Sequence, residues 1–246
     1  MTAIPTSACH SMSSLTSITI PDSVTSIGER AFSGCSSLTS ITIPDNVINI
    51  ESSAFNSCSS LTSVSIGNSV TSIGDSAFNN CNSLTSIVIP DSVTSIGNSA
   101  FKNCSSWSDV LIPDGVISIG SSAFSSCPLS SITIPKSVSS IGASAFYKCL
   151  EIESITVDPD NVTYDSRNNC NAIIESATNK LIVGCNNTII PNNITGIESH
   201  AFYGCSSLAS VDIPEGVTSI GSGAFQNCSS LTSIVIPDSV TSLGSN

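Results

Sequence analysis

Residues 38–58 read LTSITIPDNVINIESSAFNSC. The apolar positions in that stretch, Leu38, Ile41, Ile43, Val47, Ile50, Ala54, Phe55 and Cys58, decide the fold. Ile41 and Ile43 stand two apart and share one face of a short strand. Pro44 has no N–H for a ladder, so pairing ends there. Val47 to Ile50 reads as a second short extended segment. Gly follows this Ile in most units (Gly28, Gly74, Gly97, Gly120, Gly142, Gly221, Gly244), which predicts a turn with permissive φ. Glu51 and Glu198 hold the same slot, so a positive φ is not obligatory. The run Ala54-Phe55-x-x-Cys58 predicts one helical turn, carrying Phe and Cys toward a common interior.

The same grammar recurs along the chain. The residue before the Pro slot is Ile20, Ile43, Ile66, Ile89, Ile112, Ile134 and Val157, then Ile190, Ile213 and Ile236. The step is 23 residues, with one of 22 at Cys127-Pro128-Leu129 and one long step of 33 before Ile190. All 8 Phe fall in Ala-Phe pairs: Phe32, Phe55, Phe78, Phe101, Phe124, Phe146, Phe202 and Phe225. No single unit can enclose its own apolar side, so stacking must supply the core. Rungs paired as parallel strands lie about 4.8 Å apart.

Composition narrows the partners. Of 246 residues only 10% are charged, with 6 Lys and Arg against 18 Asp and Glu and a net charge of −12. Six cations cannot neutralise a useful stretch of phosphates, so nucleic acid is not a partner. Anionic membranes are disfavoured for the same reason, and no apolar run of about 18 residues predicts membrane insertion.

The motif Leu-x-x-Ile-x-Ile-Pro-x-x-Val-x-x-Ile-Gly-x-x-Ala-Phe-x-x-Cys resembles the BspA-type, or Treponema pallidum-type, leucine-rich repeat, over nearly the whole chain. The resemblance implies an α/β fold: a curved, right-handed leucine-rich repeat solenoid, here of about ten rungs, with short parallel strands and one-turn helices. It implies a single solenoid over 1–246. It also implies a home on a microbial cell surface or in secretion, and adhesion to host extracellular-matrix or surface proteins, other cells or glycans rather than catalysis. A structural spacer that displays neighbouring domains is the alternative.

The rung 158–189 breaks the pattern. It lacks an Ala-Phe pair, and its apolar runs Ala172-Ile173-Ile174 and Leu181-Ile182-Val183 flank the turn-rich Ser176-Ala177-Thr178-Asn179, which reads as a β-hairpin. The phrase from Asn171 to Cys185 resembles an insertion common in bacterial members of the family. Two readings stay open: an elongated rung that adjusts curvature, or a protruding contact site. Met1-Thr-Ala-Ile4 matches Val24-Thr-Ser-Ile27, and Leu243-Gly-Ser-Asn246 stops at the same phase. Neither end carries a polar capping repeat, so a segment of a longer array or self-association through uncapped ends is expected. Met1 is followed by Thr-Ala-Ile-Pro, without a basic and apolar leader.

Catalytic chemistry finds no foothold. Eight of 11 cysteines (Cys35, Cys58, Cys81, Cys104, Cys127, Cys149, Cys205 and Cys228) share one slot. At the rung spacing their Cβ atoms stand wider than a disulfide needs, which predicts buried free thiols acting as small hydrophobes. Cys170 and Cys185 flank the hairpin and are candidates for a bridge or for burial. No Cys-x-x-Cys occurs, hence no zinc or redox motif. His10 and His200 are the only histidines, and His200 is expected as an exposed turn residue. Asp22, Asp45, Asp91, Asp114, Glu215 and Asp238 form a column that reads as a run of solvated turn carboxylates rather than a cation site. No catalytic residue, cofactor or metal is therefore expected. Asn103, Asn161, Asn186, Asn193 and Asn227 sit in Asn-x-Ser/Thr contexts, which matter in a glycosylating host.

A binding face remains. The positions between the inward residues of the Ile-x-Ile strand point outward: Ser17/Thr19, Ser40/Thr42, Ser63/Ser65, Ser86/Val88, Asp109/Leu111, Ser131/Thr133, Ser154/Thr156, Ser210/Asp212 and Ser233/Val235. This is mostly a carpet of hydroxyls without aromatic anchors. The unit of Trp107, Asp109 and Leu111 departs most, and these three are the candidate contact residues. Trp107 stands in the inward Leu slot, where overfilling the core and tilting outward are both open.

Overall fold

A computed structural model describes residues 2–245. Met1 and Asn246, the ends of the solenoid expected over 1–246, lie outside the described residues. The chain forms two compact units. One holds the chain up to Pro128 together with Ser140–Phe146; the other holds Leu129–Ser139 and the chain from Tyr147 onward. Each is a stack of coils.

In the first unit, the Val-x-x-Ile segments build a seven-stranded parallel sheet from Ala3–Ile4, Ser26–Ile27, Asn49–Ile50, Ser72–Ile73, Ser95–Ile96, Ser118–Ile119 and Ser140–Ile141. The register is that of the repeat, with Ile27 opposite Ile50 and Ile50 opposite Ile73. The Ile-x-Ile segments add a second parallel sheet of Ser40–Thr42, Ser63–Ser65 and Ser86–Val88. Alternation puts Ile41, Val64 and Ile87 inside and leaves their neighbours exposed. Phe32, Phe55, Phe78, Phe101, Phe124 and Phe146 stack face over face, with successive centroids 5.2, 5.2, 5.5, 5.6 and 5.6 Å apart. The ring column and the inward Leu, Ile and Val are buried.

The one-turn helices expected at Ala-Phe-x-x-Cys do not form. Among the described residues the only helical element is a 3-10 turn at Arg167–Asn169. The arc is instead a chain of overlapping reverse turns. Ala31, Ser33 and Cys35 donate their N–H groups to the carbonyls of Gly28, Arg30 and Phe32 in their own coil. Arg30, Phe32 and Gly34 donate to Ser52, Ala54 and Asn56 of the next coil. An α-helical turn would direct every N–H back along its own axis and leave the coils unlinked at this edge. Alternation is achieved by two left-handed residues per arc, one before Ala-Phe (Ser53 φ 58°, Ser76 φ 56°, Ser99 φ 53°) and one before Cys (Ser57 φ 59°, Asn80 φ 60°, Asn103 φ 61°). Ser99→Val is expected to lower stability by about 1–2 kcal/mol, because a branched Cβ clashes in this region, and Ser99→Gly is expected to raise it by up to about 1 kcal/mol. Urea midpoints of the pair check the sign.

The glycines after Ile do not have the positive φ their slot suggested. They are needed for close approach: a Cβ on Gly97 would lie 2.6 Å from the backbone N of Asp75, and one on Gly74 would lie 2.7 Å from the carbonyl carbon of Glu51. The thiol column is more than packing. Cys58, Cys81, Cys104 and Cys127 donate S–H to the carbonyls of Phe32, Phe55, Phe78 and Phe101 at 3.1–3.3 Å. Burial pushes the Cys58 thiol up to about 12. All 11 cysteines are free, Cys170 and Cys185 included, and both of those are buried.

In the second unit Ser131–Ile134 pairs in parallel with Ser154–Val157. The long rung adds Tyr164–Asp165, antiparallel to Ile173–Glu175, which runs antiparallel to Lys180–Val183. Lys180–Val183 then pairs in parallel with Gly196–Ile197, which leads to Ser219–Ile220 and Ser242–Leu243. Ala172, Ile174 and Leu181 join the core of the later coils with Ile197, Phe202 and Ile220, so the inward side of the insert is buried. Gly184 occupies this rung's arc because the Phe202 ring lies where a Cβ would be, 2.3 Å from its Cε1.

A polar knot holds the outer side of the insert. Arg167 donates from Nε to Asp165 Oδ1 at 2.7 Å, from Nη2 to Oδ2 at 2.5 Å, and from Nη1 to Asn179 Oδ1 at 2.7 Å; Ser176 adds a bond to Asp165 Oδ2. Burial alone would raise the Asp165 carboxyl, but the Arg167 and Ser176 hydrogen bonds outweigh it and hold the group below the usual carboxylate range. A carboxylate held low contributes stability above its unfolded pKa and loses it as pH falls through the folded one. Asp165→Asn is therefore expected to cost about 1–2 kcal/mol near neutrality. The gap from wild type should close in acid urea titrations as pH falls below the ordinary carboxylate range.

Candidate binding face

The outward strand positions lie where alternation puts them. Ser40, Thr42, Ser63, Ser65, Ser86, Ser131, Thr133, Ser154 and Thr156 are exposed. Neighbouring hydroxyls meet in register, as in the 3.0 Å contact between Thr133 Oγ1 and Thr156 Oγ1. A second set of threonines, flanking the strands, turns back on the stack: Thr62 donates to Thr39 O at 2.9 Å, Thr85 to Thr62 O at 3.2 Å, and Thr94 to Thr71 O at 3.1 Å. These hydroxyls are spent on coil-to-coil bonds.

Val88 and Leu111 interrupt the hydroxyls. They hold the same slot one repeat apart and are 72% and 75% exposed. Asp109 is also exposed. Trp107 is not: it is 2% exposed and lies edge-on to Phe101, with centroids 5.1 Å apart, and tilted against Phe124 at 6.2 Å. Of the two placements open from the sequence, the core wins, since the aromatic column provides an edge-to-face partner for the indole. The three candidate residues therefore do not form one surface; Asp109 and Leu111 face solvent, and Trp107 fills the interior behind them. Among the described residues, 109–112 join no strand ladder.

The acidic column stays exposed. Asp45 spends Oδ1 on the backbone N–H of Asn68 in the next coil, at 2.8 Å.

One surface cluster was not anticipated. Tyr147, His200 and Tyr203 are half-buried, with Tyr147 4.5 Å from Tyr203 and 4.8 Å from His200 between centroids. Lys148 Nζ stands 5.4 and 5.9 Å from the two tyrosine rings, and Asn227 Nδ2 donates to the Tyr203 hydroxyl at 2.7 Å. Burial and the Tyr203 hydroxyl raise the Tyr147 phenol above its ordinary value. His200, expected as an exposed turn residue, is left-handed at φ 60° and packs edge-on to Tyr147. The signal was present in the slot after Phe, which holds Tyr only at Tyr147 and Tyr203. It was obscured because the rung between them has no Ala-Phe arc, so residues far apart in sequence become neighbours.

A cleft of about 360 Å³ opens where the insert meets Ser154–Val157, lined by hydroxyl, amide and aliphatic groups without a charge.

No curated protein sequence matches the chain. Among solved structures, it is similar to a leucine-rich cell surface protein of Faecalibacterium prausnitzii A2-165, with 36% identity and a TM-score of 0.85, covering 98% of this chain and 72% of that one. A leucine-rich repeat protein of Eubacterium ventriosum matches at 28% identity and a TM-score of 0.76, over 85% of this chain and 56% of that one. The leucine-rich repeat protein of T. pallidum matches at 30% identity and a TM-score of 0.54, over 78% of this chain and 77% of that one. The sequence profile of the BspA type leucine rich repeat region matches residues 2–116, 71–181 and 173–246, in six copies. With the repeat, the ladders and these matches in agreement, the chain belongs to the BspA-type leucine-rich repeat family.

Proposed function

We propose that the chain is a non-enzymatic binding module, displayed at a cell surface or secreted, that adheres to a protein of a host or of another cell through its outward strand face. The observation that carries this reading is the apolar step of Val88 and Leu111 in successive coils, beside Asp109, in the first unit's face, which is otherwise made of small hydroxyls. Exposed aliphatic groups in one slot of successive coils are what a protein partner can desolvate. The similarity to a named cell-surface protein supports the location. No helix among the described residues is long and apolar enough to cross a membrane.

Capture of extracellular-matrix proteins and glycans on the immobilised chain tests the reading. Val88→Ser with Leu111→Ser is expected to lower capture of the bound protein at least about tenfold, the scale of a modest hot spot, with an unchanged melting temperature. Undiminished capture by the double variant would remove this face from contention. The spacer reading draws support from the threonines bonded back onto the stack, and a chain that captures nothing across the panel would favour it.

A further inference from the structure

In the ladder formed by Ser131–Ile134 and Ser154–Val157, the strand Ser154–Val157 has one paired edge and one open edge. On the paired side, Asp158 N–H donates to Ile134 O at 2.8 Å and Glu153 N–H donates to Ser130 O at 2.9 Å. Ile155 turns the other way. Its N–H donates to Asn171 Oδ1 at 2.5 Å, and Asn171 Nδ2 donates to Glu153 O at 2.9 Å. One side-chain amide thus satisfies a donor and an acceptor of the open edge, as a peptide group of a neighbouring strand would. Ile155 O accepts from Ser166 Oγ at 3.4 Å.

The substitution stops there. By the period of two, Val157 presents its N–H and C=O on the same side as Ile155, and no hydrogen-bond partner is found for them on that side among the described residues. Beside them lies the 360 Å³ cleft, whose walls include Ile155, Val157, Ser166, Asn169, Asn171 and Asn187. Strand edges with unpaired groups are templates for a further strand. In the repeat such edges meet segments alternating a hydroxyl residue with an inward aliphatic one, as in Ser40-Ile41-Thr42 against Ser63-Val64-Ser65.

We propose that this cleft is a backbone-recognition site for an uncharged extended segment of a partner protein, which adds to the open edge at Val157 as a short strand. Main-chain bonds supply the affinity, and the uncharged walls exclude charged side chains. Asn171 is a partial plug that sets the length of edge on offer. The site is distinct from the outward strand face and does not depend on the reading given for that face.

The test uses the full chain labelled with 15N and the probe acetyl-Ser-Ser-Ile-Thr-Ile-Pro-amide, the sequence of residues 130–135. A saturable shift of the Val157 amide and of the Asn171 side-chain amide is expected. Val157→Pro, which removes the N–H on an edge where Pro is tolerated, is expected to abolish it. Asn171→Gly suits the left-handed φ of 58° and frees Ile155 N–H and Glu153 O, so it is expected to tighten binding about five- to tenfold, the scale of one added hydrogen bond. A probe N-methylated at both isoleucines should not bind, which tests backbone pairing without altering the protein. Full-strength binding of the N-methylated probe, a Val157 amide that does not move at about millimolar probe, or a response to a neutral disaccharide but not to the peptide would each overturn the proposal.

Discussion

Phe78→Ala is expected to lower the stability of the first unit by about 3–5 kcal/mol, the largest effect of any single truncation proposed here. Phe78 has no exposed surface and lies between Phe55 at 5.2 Å and Phe101 at 5.5 Å, with interplanar angles of 3° and 2°. Its removal leaves a void with rings above and below, and neither can shift without breaking its own arc. Those arcs are tied on both sides, with Phe78 N–H donating to Ala100 O and Phe55 N–H to Ala77 O, each at 2.8 Å. Phe78→Leu keeps most of the volume and should cost no more than about 1.5 kcal/mol. Urea unfolding followed by far-UV circular dichroism and by Trp107 emission checks both, since the indole rests on Phe101 in the same column. A loss below about 1 kcal/mol for the alanine variant would mean that the ring column is not what holds the coils together.

The second large effect is expected at Asn161. This side chain is only 9% exposed and uses all of its near neighbours. Nδ2 donates to Pro135 O at 2.8 Å and to Val138 O at 2.9 Å, while Oδ1 accepts from the N–H groups of Thr163 and Tyr164 at 2.8 Å each. One amide therefore ties the turn that opens the long rung to the preceding coil. Asn161→Leu keeps the volume and removes all four of these hydrogen bonds, so at least about 3 kcal/mol should be lost. Asn161→Asp preserves the acceptor for Thr163 and Tyr164 but sets a carboxylate oxygen against two carbonyls. Its damage should be heavy at neutral pH and partly relieved in acid, where the protonated carboxyl regains a donor. Urea midpoints at neutral and acid pH separate the two. The same bonds bear on the glycosylation context at Asn161, because a glycan on Nδ2 would displace at least one of its two donor bonds.

Much of the fold could be read from residues 38–58 alone. Leu38, Ile41, Ile43, Val47, Ile50, Phe55 and Cys58 recur at one spacing, and a residue that recurs in a stack meets its own kind. Ile27 above Ile50 above Ile73 follows from that spacing without further information. The arc departs from its helical spacing for a physical reason. Ala-Phe-x-x-Cys has helical spacing, but the N–H of Phe32 can bond within its own coil or to Ala54 of the next, and local sequence does not choose between them. Serine and asparagine in the left-handed slots were the available sign, since both tolerate positive φ better than branched residues.

The candidate site was less legible. The outward hydroxyls follow from strand alternation and were placed correctly by it. Trp107 was not decided, because the Leu slot and the surface are both open to an indole until the neighbouring rings are in position. Tyr147 and Tyr203 share a slot, but their contact depends on the intervening rung having Gly184 where an arc would carry Ala-Phe. Asn171 looks like any turn asparagine in the sequence, and its role at the edge of Ser154–Val157 exists only once that edge has lost its usual neighbour.

By itself the sequence determined which residues stack on which, because a regular apolar spacing with no self-sufficient unit can bury its surface only in register. The tertiary structure decided where the backbone hydrogen bonds go and which groups remain unpaired. Each N–H and carbonyl has more than one partner within reach of the local chain, and only the neighbouring coil, present or displaced, selects among them.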